Sequence, residues 1–140
     1  NIIKRDGLLR TIPRAEARMK NPLVLAYIGD TIYDLYVRTV LVNTDGGGVN
    51  RLNKLAAGTV NAKAQSDAAV KIMDVLTDEE QSIFRRGRNA KPGTTPKNMS
   101  VGDYHRATGL EALLGYLYLT GEDERIEELI TMIMDGNSIG

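Results

Sequence analysis

Residues 21–37 read NPLVLAYIGDTIYDLYV, and their apolar pattern is the strongest architectural signal in the chain. Asn21 followed by Pro22 marks a helix start. The asparagine side chain can accept from a free N–H, and proline gives up nothing in the first turn, where its missing N–H would have no partner. From there Leu25, Ile28, Ile32, Leu35 and Tyr36 recur at helical spacing, which predicts a helix to about Val42. One residue interrupts the apolar run: Asp30 directly follows Gly29.

Working outward, Gly46-Gly47-Gly48 should stop this helix. Two more helices are expected, Val49 to Ala57 and Asn61 to Val75, separated near Gly58 and Thr59. Thr77 with Glu80 three residues later forms a capping-box pattern and opens a helix through Ile83 and Phe84 towards Asn89. KPGTTPKNMS, from Lys91 to Ser100, carries two prolines and a glycine and reads as the main loop. Ser100, with Asp103 at the third position, can cap a helix that continues through ATGLEALLGYLYL to a glycine stop at Gly121. A final amphipathic helix carries the stripe Ile126, Leu129, Ile130, Ile133 and Met134, with Gly136 at its end. No sustained alternation competes with these helical periods, so the expected fold class is all-α.

A chain of 140 residues with 42% hydrophobic residues predicts one domain over 1–140, with its core across 22–135. Cysteine is absent, which excludes disulfides, thiolate zinc sites and thiol nucleophiles. His105 is the single histidine, so a metal must rest on oxygen ligands. No apolar run suits a membrane span and no stretch looks like a secretory leader, so a soluble cytoplasmic protein is expected. Formal net charge is zero, but the charges are segregated. Arg85, Arg86, Arg88, Lys91 and Lys97 run without an intervening carboxylate, whereas Glu122, Asp123, Glu124, Glu127 and Glu128 dominate the last helix.

Asp30 and Glu111 each place a carboxylate inside a largely apolar stretch. A carboxylate that loses hydration stays ionised only with a cation, a donor or a metal beside it. With no histidine cluster or cysteine present, magnesium is the natural metal, because it takes oxygen ligands and often needs only one or two protein carboxylates. Periodicity alone also allows Asp30 and Glu111 to be surface or capped charges at helix edges.

AYIGDTIYDLYV resembles the signature segment of the ribonuclease III family, in which a hydrophobic-Gly-Asp triplet, here Ile28-Gly29-Asp30, opens the catalytic helix. EALLGYLYL, starting at Glu111, resembles the second metal-binding helix of that family. RRGRNAKPGTTPKN, from Arg85 to Asn98, resembles the short bacterial Mini-ribonuclease III branch, which lacks the double-stranded-RNA-binding domain. The likeness runs from about Pro22 to Gly121. It implies that Asp30 and Glu111 are the catalytic, metal-holding residues. Acidic positions of larger members fall at Leu23, Ala26 and Thr108, and less securely near Gly48. None of these can ligate through a carboxylate, which favours one magnesium over two. Asp34, one turn beyond Asp30, reads as a surface or pairing residue, and His105 is not assigned to acid–base work.

The resemblance further implies hydrolysis of duplex RNA to 5′-phosphate and 3′-hydroxyl ends by a homodimer, with the 23S ribosomal RNA precursor as natural substrate and Mg2+ as the only cofactor. Tyr27, Tyr33 and Tyr36 are weighed evenly between dimer interface and core. Phosphate and sugar contacts are expected from Arg85, Arg86, Arg88, Asn89, Lys91, Thr94, Thr95, Lys97 and Asn98. Two competing readings are a catalytically silent module that binds double-stranded RNA and a helical scaffold that docks proteins on its acidic last helix.

Overall fold

The computed structural model describes residues 5–90 and 100–135. Among them the elements are helical: α1 (Arg14–Arg18), α2 (Pro22–Thr44), α3 (Val49–Val60), α4 (Ala62–Ile72), α5 (Asp78–Asn89), α6 (Val101–Leu119) and α7 (Asp123–Met134). Short 3-10 turns lie at Gly7–Leu9 and Met73–Val75. The all-α expectation holds, and no described helix is long and apolar enough to cross a membrane.

The caps read from sequence are present. Asn21 Oδ1 accepts from the Leu23 N–H at 2.8 Å. Thr77 and Glu80 exchange reciprocal bonds at the start of α5, at 2.9 and 3.1 Å. Ser100 Oγ accepts from the Asp103 N–H at 3.0 Å. Gly121, at φ +80°, ends α6, and the Glu122 N–H reaches back to the Leu117 carbonyl at 2.8 Å. That return bond uses a carbonyl the helix would leave free.

One expectation needs correction. The break between α3 and α4 falls at Asn61, not at Gly58 and Thr59. Thr59 Oγ1 bonds back to the Leu55 carbonyl inside the helix at 2.7 Å, and Asn61 caps α4 by accepting from the Ala64 N–H at 2.8 Å. A cap with a satisfied donor outweighs the weak breaking tendency of one glycine in a last helical turn. The segment before Lys20 also holds α1, whose end is pinned by Arg86 donating to the carbonyls of Arg18 and Lys20 at 2.7 and 3.1 Å. Lys91 to Asn98 and Gly136 lie outside the described residues.

α6 is the axis of the bundle. Its residues 107–110 and 112–117 are all buried, so it shows no narrow apolar stripe. α2, α5 and α4 pack around it most extensively, and α7 closes the core with Ile126, Leu129, Ile130, Ile133 and Met134. The α2–α6 crossing depends on two glycines. A Cβ on Gly29 would lie 1.7 Å from the Glu111 carbonyl oxygen, and one on Gly115 would lie 1.9 Å from the Leu25 carbonyl oxygen. The two backbones therefore approach without side chains between them.

Candidate active site

That crossing builds the site. Gly29 packs against the Glu111 backbone, so the residue after the glycine, Asp30, emerges beside the Glu111 side chain. The two carboxyl groups come within hydrogen-bond reach of each other. They share a shallow pocket of about 210 Å³ with Val60, Ala62, Gln65, Tyr104, Ala107 and Thr108. Burial and the adjacent Asp30 carboxylate push the Glu111 carboxyl up to about 9, while a hydrogen bond from Gln65 opposes the shift. Without a cation the pair therefore holds a proton near neutral pH.

The donor set suits a hard divalent cation. Asp30 and Glu111 offer carboxylate oxygens, and a cation between them would favour the ionised form of Glu111 that burial and Asp30 disfavour. Among the described residues no group of three or more acidic or histidine side chains could hold a metal. Thr108 spends its hydroxyl proton on the Tyr104 carbonyl at 2.8 Å, while Ala26 is core and Leu23 is half-buried.

Sequence reading missed Gln65, which α4 supplies to the pocket. Its only trace is a polar pair, Gln65-Ser66, among the alanines of AKAQSDAAVKI, and both residues are buried. Elsewhere, Asp34 pairs with Arg38 one turn on at 2.8 Å, as its surface reading expected. His105 lies edge-on to Tyr104, with ring centroids 6.0 Å apart, and its Nδ1 is buried without a partner among the described residues. Of the three tyrosines, Tyr33 is core and donates to the Thr59 carbonyl at 3.0 Å. Tyr36 packs partly buried against the core, and Tyr27 is 83% exposed.

The basic end of α5 lies against the α6 turn that precedes Glu111. Gly87 meets Gly109 and the Thr108 carbonyl so closely that a Cβ there would sit 3.0 Å from each, and 2.7 Å from the Ala112 Cβ. Arg85 is exposed beside this crossing, and Arg88 donates to Asn89 Oδ1 at 3.2 Å. Arg86 is different, because its guanidinium already holds the end of α1.

The Ribonuclease III domain family model matches residues 23–122, which includes both carboxylates and the crossing between them. The chain belongs to the ribonuclease III family. Within it, the chain is 51% identical over 112 residues to a Mini-ribonuclease 3 from Thermoanaerobacter sp. (strain X514), covering 80% of this chain and 79% of the relative. It is 43% identical over 123 residues to the Mini-ribonuclease 3 of Clostridium tetani (strain Massachusetts / E88), covering 87% and 82%. A crystal structure of a Fusobacterium nucleatum protein superposes with a TM-score of 0.78 at 35% identity, over 87% of this chain and 98% of that one. These matches place the chain with the Mini-ribonuclease 3 proteins of the ribonuclease III family and make it an endoribonuclease.

Proposed function

We propose that this endoribonuclease cuts double-stranded RNA with a magnesium ion held between Asp30 and Glu111. The supporting observation is the meeting of two carboxylates from separate helices, across a glycine crossing, in one pocket. When bound, magnesium supplies Lewis acidity that makes water nucleophilic at neutral pH and offsets charge building on the phosphoryl oxygens. Asp30 and Glu111 fix where the cation can sit. Their number supports one ion per site.

The RNA path we propose runs along the basic end of α5 and onward, using Arg85, Arg88, Asn89, Lys91, Thr94, Thr95, Lys97 and Asn98. Arg86 contributes charge from its fixed position. Such contacts neutralise phosphates and reach sugars, which suits an A-form duplex whose base edges are recessed. Two strands call for two sites, and a homodimer supplies them. Val24, Tyr27, Leu35 and Val42 are exposed along one stripe of α2, which supports a helix-mediated interface there. The natural duplex we propose is the 23S ribosomal RNA precursor in the cytoplasm, on the strength of the family resemblance.

The test is cleavage of long duplex RNA with and without magnesium, alongside Asp30→Asn and Glu111→Gln. Each substitution should lower the rate by at least about a hundredfold, the scale of losing one preorganised electrostatic group. Binding of duplex RNA without scission, even by the unaltered chain with magnesium, would favour the silent RNA-binding reading instead.

A further inference from the structure

Gln65 approaches the carboxylate pair from α4, a third helix. Its side chain is almost wholly buried, with 2% of the residue exposed. It hydrogen-bonds Glu111, and Nε2 donates to the Val60 carbonyl at 3.2 Å. A primary amide has two N–H donors, and with acceptors on both the α3 terminus and Glu111 its plane is fixed. α4 is also anchored to α6 independently of this amide. Ser66 accepts from Arg106 Nε at 2.7 Å, and Arg106 clasps Asp103 at 3.1 Å.

We propose that Gln65 is a positioning residue: its amide holds the Glu111 side chain in the orientation in which it and Asp30 can share one divalent cation. The inference rests on the metal site proposed above. A free glutamate side chain would have to be ordered when the ion arrives, at a cost in side-chain entropy. Gln65 orders it beforehand, and the Val60 carbonyl orders Gln65 in turn. Groups that hydrogen-bond a metal-ligating side chain typically control metal affinity by about ten- to a hundredfold. Gln65 is only 2% exposed and offers almost no surface to an RNA, so its loss should leave duplex affinity alone.

Gln65→Met keeps the volume and removes the amide. Calorimetric titration of the RNA-free protein with magnesium chloride should show affinity weakened about tenfold or more. Cleavage by the variant should need correspondingly more magnesium, with KM for duplex RNA unchanged at saturating metal. A merely structural amide would lower Tm while leaving magnesium affinity as in the unaltered chain, and that result overturns the proposal. Should Gln65→Met fail to fold, Gln65→Asn, which withdraws the amide by one methylene, faces the same titration and the same two outcomes. The unaltered chain and Glu111→Gln separate the two levels of inference. If the unaltered chain binds no magnesium, the metal site itself is wrong and the positioning role falls with it. If it binds and only the Gln65 variants match it, the positioning role alone is wrong.

Discussion

Glu80 and Glu111 are glutamates drawn out of water by the same bundle, with opposite electrostatic outcomes. Glu80, 5% exposed, has its counterion in place: Arg125 donates to both of its oxygens at 2.8 Å. Burial alone would raise its carboxyl, but the Arg125 and Thr77 hydrogen bonds overcome this and hold it below the usual carboxylate range. Among the described residues, the groups that act on Glu111 are a second carboxylate and an amide, and its carboxyl is pushed up to about 9. A carboxylate that stabilises a fold carries its compensation within the fold. One that is kept desolvated beside a like charge fits a role in which a cation arrives from solution.

The largest effect should come from the backbone contact that creates the Glu111 environment. Gly29→Ala would place a methyl 1.7 Å from the Glu111 carbonyl oxygen, so α2 and α6 must separate. Overpacking typically costs about 1–3 kcal/mol, and a backbone obstacle puts this case at about 3 kcal/mol or more. Urea unfolding measures that loss. Any Gly29→Ala protein that folds should cut RNA poorly while its Glu80–Arg125 pair stays intact. A variant as stable and active as the parent would show that the crossing does not define the site.

Next in size is the removal of the compensated charge. Glu80→Gln leaves Arg125 without its main partner, and breaking a buried pair costs about 3–5 kcal/mol. Arg125 keeps bonds to the Val75 carbonyl at 2.8 Å and Glu128 at 3.3 Å and reaches water, so about 2 kcal/mol is the expected loss here. Cleavage per folded molecule should stay within about twofold of the parent, since Glu80 does not line the carboxylate pocket. A large fall in turnover at full folding would erase the distinction between the two glutamates.

The contrast also shows what the sequence could and could not disclose. Thr77 and Glu80 announce the start of α5 because capping is local, a matter of spacing three residues apart. The partnership of Glu80 with Arg125 spans 45 residues and depends on how α7 docks, which no spacing rule encodes. Likewise Asp30 and Glu111 stood out as charges in apolar runs, and α2, α5, α6 and α7 were legible from caps and periodicity. Their meeting needed the Gly29–Gly115 crossing, which is a tertiary fact. Gln65 was hidden for the same reason: a glutamine on a small-residue helix carries no local mark of the pocket it enters. α1 was missed because five residues give too little periodicity to read, and its end is held by the distant Arg86.

The smallest effect is a matter of pH, and the two glutamates act with opposite sign. Glu80 has a lowered folded value, so its contribution is present above its ordinary 4.5 and is lost as pH falls through the folded value. Glu111 has a raised folded value, about 9 against 4.5, so its contribution is full below 4.5 and drains away as pH climbs towards 9. Between about pH 5 and 8 the Glu80 contribution is level, and the difference between the unaltered chain and Glu111→Gln isolates Glu111. In metal-free buffer Glu111→Gln should therefore gain on the parent as pH rises from about 5 to 8, by at least about 3 °C in Tm, or roughly 1 kcal/mol for a domain this size. Magnesium favours the ionised pair, so adding it should protect the parent alone and release protons on binding. A Tm difference that stays flat with pH would mean that Glu111 is compensated in the folded chain after all, and that nothing in the pocket is waiting for a cation.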